Sequence, residues 1–219
     1  IFTNNDSAYE TAIEFKKNGI NPLVLDTRIN PKSEIIDEAK SLNINIKFSY
    51  VVIAAKGYKK VKSAEIAKIS EDKKDLGQIV NINCDCICVS GFWTPTIHLA
   101  SQSGNKTKFN KEIDAFVPGR SKQEETTVGS ANGTFTLEQT LKKSFEVGHE
   151  LSKKITNKDN KVSVPQVAEK KSTQHDKFWC VPLPKGKKYK RFLDFQNDVA
   201  VTDIELALRE GYRSIEHVK

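Results

Sequence analysis

Long apolar runs are missing from this 219-residue sequence. No stretch approaches the roughly 20 apolar residues that a membrane-spanning helix requires, and no signal peptide is visible. With 37% hydrophobic and 29% charged residues, the composition is that of a soluble globular protein, and no membrane partner is expected. Cysteine is sparse: the four residues read as free thiols, which fits a reducing, cytoplasmic compartment. Charge of one sign is not concentrated either. The 35 Lys+Arg and 28 Asp+Glu residues give +7 but are interleaved along most of the chain, the pattern of a solvated surface. The exception is KGKKYKR at 185–191. No DNA- or RNA-binding module accompanies it, so no nucleic-acid partner is expected. Paired carboxylates, a nucleophile–histidine pair and a recognisable general base are all lacking, and no residue is assigned a catalytic role.

What is present starts at the first residue. Ile1 and Phe2 read as the end of a buried strand. Residues 7–18 place Ala8, Ala12, Ile13 and Phe15 at a helical period, and Asn18-Gly19 supplies a stop. Leu23, Val24 and Leu25 then form a buried parallel strand ending in Asp26. Strand, turn, helix and strand make half of a dinucleotide-binding unit. In such a unit a helix N-terminus faces phosphate, and an acid after the second strand holds the ribose. Asp26 in that role favours a free ribose hydroxyl, hence NAD over NADP. Asn5 and Ser7, in the turn, are the matching phosphate-side residues. A pyrophosphate turn uses glycines for close backbone approach, however, and Thr3, Asn4 and Asn5 stand there instead. Two readings follow: a working site, or a fold inherited without its ligand.

Further along, residues 33–42 read as a second helix capped by Ser33, and residues 45–55 as a strand. Another strand follows around 60–69, then a tight turn at 70–75, then one or two strands over 79–90. In the last of these, Cys84, Cys86 and Cys88 alternate on one face of a strand. Three thiols on a rigid strand fan out too far for a tetrahedral site, so small buried residues are expected there and no metal. Gly91 leaves the strand toward Trp93 and Pro95, where close approach of a ligand and a plain exit are equally open. His98 lacks an evident partner acid and is read as a packed or hydrogen-bonded residue. Residues 105–112 read as a polar surface excursion, and 116–119 as a short strand and turn.

The second informative turn is VGSANGTFTL at 128–137, which runs into a long helix with Leu137, Leu141, Phe145, Gly148, Leu151 and Ile155 on one stripe. A glycine-containing turn that opens a helix points backbone N–H groups at a place an anion can occupy. Gly129 and Ser130 stand in this turn, and Phe135 and Leu137 follow it into the helix. Gly133→Val is expected to weaken nucleotide binding and leave the fold mostly intact. Residues 156–173 are polar and lysine-rich. In the tail, Thr202 and Glu205 have capping-box spacing, with a helix to about Glu210, a stop at Gly211 and a further helix capped by Ser214.

Residues Asp6, Ser7 and Ala8 resemble the turn in the nicotinamide domain of thioredoxin-reductase-like flavoenzymes, with the preceding glycines replaced. Gly129 likewise resembles the Gly-Asp turn that completes the flavin site of those proteins, with Ser130 in place of the aspartate. Taken in order, FTNNDSAY, CVSG with Trp93, Pro95 and HLASQSG, FVPG, VGSANGTF, FQNDV and REGYRSIEHVK resemble the alpha subunit of heterotetrameric sarcosine oxidase over most of the chain.

That resemblance implies an α/β fold: an incomplete flavoprotein-reductase-like arrangement of two dinucleotide-binding domains, three-layered, with a parallel sheet plus a β-meander and a small C-terminal helical domain. The implied boundaries are an inserted nucleotide domain at 1–78, the C-terminal part of the FAD/NAD-type domain at 79–157 and a linker at 158–177. The start of a helical domain resembling bacterioferritin-associated [2Fe–2S] modules occupies 178–219. Cys180 alone cannot ligate a cluster, so that fold is expected without metal. The sequence is accordingly read as an internal piece of a longer chain.

In the family the alpha subunit binds NAD, which the resemblance places at Gly129, Ser130, Phe135 and Leu137 as candidate nucleotide-binding residues, and flanks an FMN shared with the beta subunit, while FAD sits in that partner. Sarcosine is demethylated oxidatively to glycine, peroxide forms, and the methyl carbon passes to tetrahydrofolate held by a C-terminal domain. The implied partners are the beta, gamma and delta subunits. The alternatives are an alpha-like subunit of another amino-acid or opine dehydrogenase complex, and a non-catalytic scaffold with vestigial nucleotide sites.

Overall fold

The computed structural model describes residues 1–219 except 92, 160–162, 168–175, 185, 188 and 215–219. The chain divides into two compact units, one formed by Ile1–Gly91 with Phe178–Lys219 and the other by Phe92–Lys177.

The first unit begins with β1 (Phe2–Thr3), α1 (Ser7–Lys17), β2 (Leu23–Asp26), α2 (Glu34–Ser41) and β3 (Asn45–Phe48). Helix α1 buries Ala8, Ala12 and Ile13 as its periodicity predicts, with Tyr9 fully buried and Phe15 only half-buried, and Gly19 takes a left-handed φ of 81° just beyond it. Ser33 stands at the start of α2, but its hydroxyl is buried without a partner and does not cap the helix. The chain continues through β4 (Tyr50–Gly57), β5 (Val61–Ile69), β6 (Leu76–Asn83) and β7 (Val89–Ser90). Strands β3-β2-β1-β7 pair in parallel, in that order, and β4-β5-β6 form a separate antiparallel meander.

Alternation along β2 explains the layering, because successive side chains point to opposite faces. Val24 enters a core with Tyr9, Ala12, Ile13, Ile36, Ala39 and Ile44 from the helical side. Its neighbour Leu25 enters another core with Ala64 and Ile66 of the meander. Helices, parallel sheet and meander are thus the three expected layers.

Two expectations change here. The single strand read over 45–55 is two strands in two different sheets, broken at Ser49, whose φ is 57°. Ser49 accepts a hydrogen bond from Ile69 N (2.7 Å) and donates its own N–H to Arg28 O (3.0 Å), which fixes the break. The cysteine strand is absent: residues 84–88 form a coil between β6 and β7.

In the second unit, α3 (His98–Gln102) precedes a hairpin of β8 (Lys106–Asn110) and β9 (Ala115–Arg120), and α4 (Leu137–Thr156) follows a one-turn 3-10 helix at Gly129–Asn132. Strand β8 replaces the polar excursion. Four of its five residues are exposed, so the alternation that marks a half-buried strand is missing, and Phe109 instead packs edge-on against Phe116 across the hairpin at 5.2 Å. Helix α4 is the long helix expected there and is capped by Thr136, yet none of its residues is buried.

The chain then returns to the first unit with β10 (Phe192–Asp194), β11 (Val199–Ala200) and α5 (Val201–Arg209). The cap of α5 differs from the expectation by two residues: Ala200 N donates to Asp203 Oδ2 (2.7 Å), and Thr202 already lies inside the helix. Gly211 follows the helix with φ 92°. The helix expected after Ser214 lies outside the described residues.

Candidate functional site

The first helix-opening turn is filled by its own side chains. Asn5 is fully buried, and its Oδ1 accepts from Ser7 N (3.0 Å) and Ser7 Oγ (2.6 Å), so it caps α1. Its Nδ2 donates to Gly91 O (2.8 Å), Ser90 O (3.2 Å) and Asn4 Oδ1 (3.1 Å). Thr3 Oγ1 accepts from Asn5 N (3.2 Å). Where a glycine would leave room for phosphate oxygens, this side chain supplies the acceptor that the helix N-terminus needs.

Asp26 is spent as well. Its Oδ1 accepts from Arg28 N (2.9 Å) and Nε (3.0 Å), and its Oδ2 from Arg28 Nη2 (2.8 Å) and Tyr9 Oη (2.7 Å). Four donors match the acceptor capacity of a carboxylate, so none remains for a ribose hydroxyl. The guanidinium also pairs with Asp6 through Nη1 (2.7 Å), and all three charged side chains are largely buried. Burial opposes the charge on Arg28, but hydrogen bonds and charge from Asp26, then Asp6, outweigh it and hold the guanidinium more firmly protonated than usual. Burial, followed by the charge and hydrogen bond of Asp26, raises the Tyr9 hydroxyl, which therefore stays a donor. The residues placed for a ribose and a phosphate are a closed structural network. Tyr9 and Arg28 went unassigned in the sequence, although a tyrosine on the apolar stripe of α1 and an arginine two residues after a strand-ending acid were its visible signals.

The second turn is exposed. Gly129 has φ 72° and Gly133 φ 79°, both left-handed, with Thr134 N bonded to Gly129 O and Gly133 N to Ser130 O, each at 3.1 Å. Thr136 Oγ1 accepts from Gln139 N (3.4 Å), and Thr140 Oγ1 donates to Thr134 O (3.1 Å). Ser130 is exposed, as are Phe135 at 39% and Leu137 at 64%, and the Trp93 ring lies 6.5 Å from that of Phe135. This turn joins the exposed Ser130 hydroxyl to an aromatic and aliphatic lip, while Gly129 itself is buried. Gly133 is not a neutral test position. A Cβ there would stand 2.5 Å from Ile113 Cδ1, the movable end of that side chain, and 3.3 Å from Val117 Cγ1, and the left-handed backbone disfavours any side chain, so Gly133→Val carries a stability cost of its own.

Asn5, Ser7 and Asp26 come together in the first unit; Gly129, Ser130, Phe135 and Leu137 come together in the second. His98 is exposed on α3, and His149 pairs with Asp159 (3.0 Å). Among the described residues, no group of three or more His, Cys, Asp or Glu is placed to hold a metal ion, and no helix is long and apolar enough to cross a membrane. Much of the basic run is engaged within its own unit. Tyr189 Oη donates to Glu65 (2.5 Å), Lys187 lies 3.7 Å from the same carboxylate, Lys190 pairs with Asp198 (3.3 Å) and Arg191 with Glu205 (3.4 Å). Lys56 also reaches Glu65 (2.5 Å). Hydrogen bonds from Lys56 and then Tyr189 pull that carboxyl down to about 2.

Comparison with known proteins places this geometry in context. Residues 188–219 match the family model described as the sarcosine oxidase A3 domain. Sarcosine oxidase subunit alpha of Rhizobium meliloti (strain 1021) is 29% identical over 221 residues, covering 100% of this chain and 21% of that protein. The chain resembles sarcosine oxidase alpha subunits from end to end. The corresponding subunit of Corynebacterium sp. (strain P-1) is 26% identical over 225 residues, covering 100% of this chain and 23% of that protein. The chain therefore spans about a fifth to a quarter of the length of these curated relatives. Among solved structures, L-proline dehydrogenase from P. horikoshii aligns with TM-score 0.52 at 15% identity, over 90% of this chain and 39% of that one. That likeness concerns the fold, and it agrees with the parallel sheet and meander described above.

Proposed function

We propose that this chain is the cofactor-binding part of the alpha subunit of a heterotetrameric sarcosine oxidase, an oxidoreductase subunit without a catalytic residue of its own. The carrying observation is similarity to alpha subunits over the whole chain, in the order of the motifs read from the sequence. In this reading the complex converts sarcosine to glycine, forms peroxide and passes the methyl carbon to tetrahydrofolate in the cytoplasm. The partners are beta, gamma and delta subunits, with FAD in the beta subunit and FMN at the interface. The division at 1–78, 79–157, 158–177 and 178–219 belongs to the same proposal.

For NAD, the two turns are unequal. The first does not fit: Asn5 occupies the phosphate side and Asp26 has no free acceptor. The second suits the mixed polar and planar surface of a nucleotide, with Ser130 offering a hydroxyl, and Phe135 and Leu137 an apolar face. NAD would supply redox or structural nucleotide chemistry there; the chain's own residues bind and orient it. Sarcosine-dependent peroxide formation by the full-length complex tests the activity. No turnover with flavins bound would defeat the substrate assignment.

A second reading, a non-catalytic scaffold with vestigial nucleotide pockets, is favoured by one observation, the shut first turn. Calorimetric titration of NAD into the intact alpha subunit separates the two: saturable heat supports the binding role, and its absence supports the scaffold.

A further inference from the structure

The coil at 84–88 brings two sulfurs together. Cys86 Sγ and Cys88 Sγ are 3.8 Å apart, Cys86 is exposed and Cys88 half-buried. In an extended strand, alternate residues repeat about every 6.6 Å, which would keep two such thiols apart. Leaving the strand conformation is what allows this approach. The segment is pinned at both ends, by Cys84 N bonded to Lys62 O (3.1 Å) and by Phe2 N bonded to Cys88 O (2.8 Å). Cys84 is drawn the other way, packing against Leu25, Ala64 and Ile66. One exposed sulfur therefore faces one sheltered neighbour.

We propose that Cys86 and Cys88 are a redox-active dithiol, which closes to an intrachain disulfide when hydrogen peroxide reaches the coil. The Cys86 thiolate attacks one peroxide oxygen, the O–O bond breaks, hydroxide leaves, and the sulfur becomes a sulfenic acid. The Cys88 sulfur attacks that sulfur and loses its proton. The S–O bond breaks, the S–S bond forms, and water leaves. In sum, two thiols lose two hydrogens and one peroxide is reduced to two waters. Exposure makes Cys86 the attacking thiol. Burial, then the neighbouring sulfur, raises the Cys88 thiol, which leaves the first attack to Cys86. Disulfide formation closes the gap from 3.8 Å to a bond of about 2.05 Å.

The experiment treats the reduced full-length protein with hydrogen peroxide, alkylates the remaining thiols, and maps peptides by mass spectrometry. The expected product is a peptide containing 84–88 that is lighter by two hydrogens and alkylated only at Cys84. Cys86→Ser and Cys88→Ser should each abolish the cross-link, whereas Cys84→Ser should keep it. Dithiothreitol should restore full alkylation. Three alkylated cysteines after treatment, a sulfinic acid at Cys86 beside an alkylated Cys88, or a cross-link that survives in Cys88→Ser would each overturn the proposal. This inference does not depend on the proposed activity, since the peroxide is added as a reagent.

Discussion

The two helix-opening turns use the same local grammar and reach opposite ends. Before α1, the turn is sealed by Asn5 and backed by the buried Asp6–Arg28–Asp26–Tyr9 network. Before α4, the turn is held by Thr136 and Thr140 but faces outward, with Ser130, Phe135 and Leu137 exposed. Their surroundings differ in the same sense. The first unit has two apolar cores, whereas in the second only Pro95, Ala100, Ala115, Val117 and Gly129 are buried among the described residues. A helix N-terminus is thus an opportunity for an anion and not a site: what matters is whether side chains have already taken the donors.

Substitutions can break or sharpen this contrast. The largest effect should come from Arg28→Ala, which strands two largely buried carboxylates; loss of one partner of a buried pair costs about 3–5 kcal/mol. Arg28→Lys should recover only part of it, because an ammonium cannot reproduce the fork to Asp26 and Asp6. Denaturant unfolding of the intact protein measures both. A loss below about 1 kcal/mol would mean that the first turn is not a structural network and reopen it as a ligand site.

Next, Gly133→Val should destabilise the second unit through its hairpin contact. A left-handed non-glycine residue costs about 1–2 kcal/mol, and overpacking adds about 1–3 kcal/mol. Thermal unfolding reads the sum, and an unchanged midpoint would contradict the contact with Ile113.

A substitution that spares the fold tests binding better. Leu137→Glu, at an exposed position, should leave stability within about 0.5 kcal/mol. If NAD lies against this turn, the added carboxylate should raise its Kd about tenfold, equivalent to about 1.4 kcal/mol. An unchanged Kd in the folded protein removes the placement.

The smallest effect concerns acid. Glu65 titrates at about 2 in the folded chain and at 4.5 by its ordinary value, so its contribution is complete above pH 4.5 and is lost as pH falls toward 2. Glu65→Gln should flatten the pH dependence of unfolding across that window; equal slopes in both proteins would show that Lys56 and Tyr189 do not set it.

Much of the fold was legible as periodicity. The apolar stripe of α1, the run of β2 and the glycine stops were local signals, and each element stands where its spacing placed it. Breaks that depend on distant partners were not legible. Nothing local in residues 45–55 reveals that Ser49 is held left-handed by Arg28 and Ile69, and three alternating cysteines look like a strand until the coil is seen. The candidate residues of the second turn were readable because glycine and helix start adjoin. The fate of those in the first turn was not, since Asn5 finds Gly91 and Ser90 more than eighty residues away.

By itself, the sequence determined α1, β2, α2 and α4, the family likeness, and the two places where a helix begins at a turn. Period and backbone preference are properties of neighbours along the chain, so they survive without a fold. Only the tertiary structure decided that Asp26 is held by Tyr9 as well as Arg28, that the basic tail is tied to Glu65, and that Cys86 meets Cys88. Hydrogen bonds and ion pairs depend on separation in space, and that is fixed only once the layers have packed.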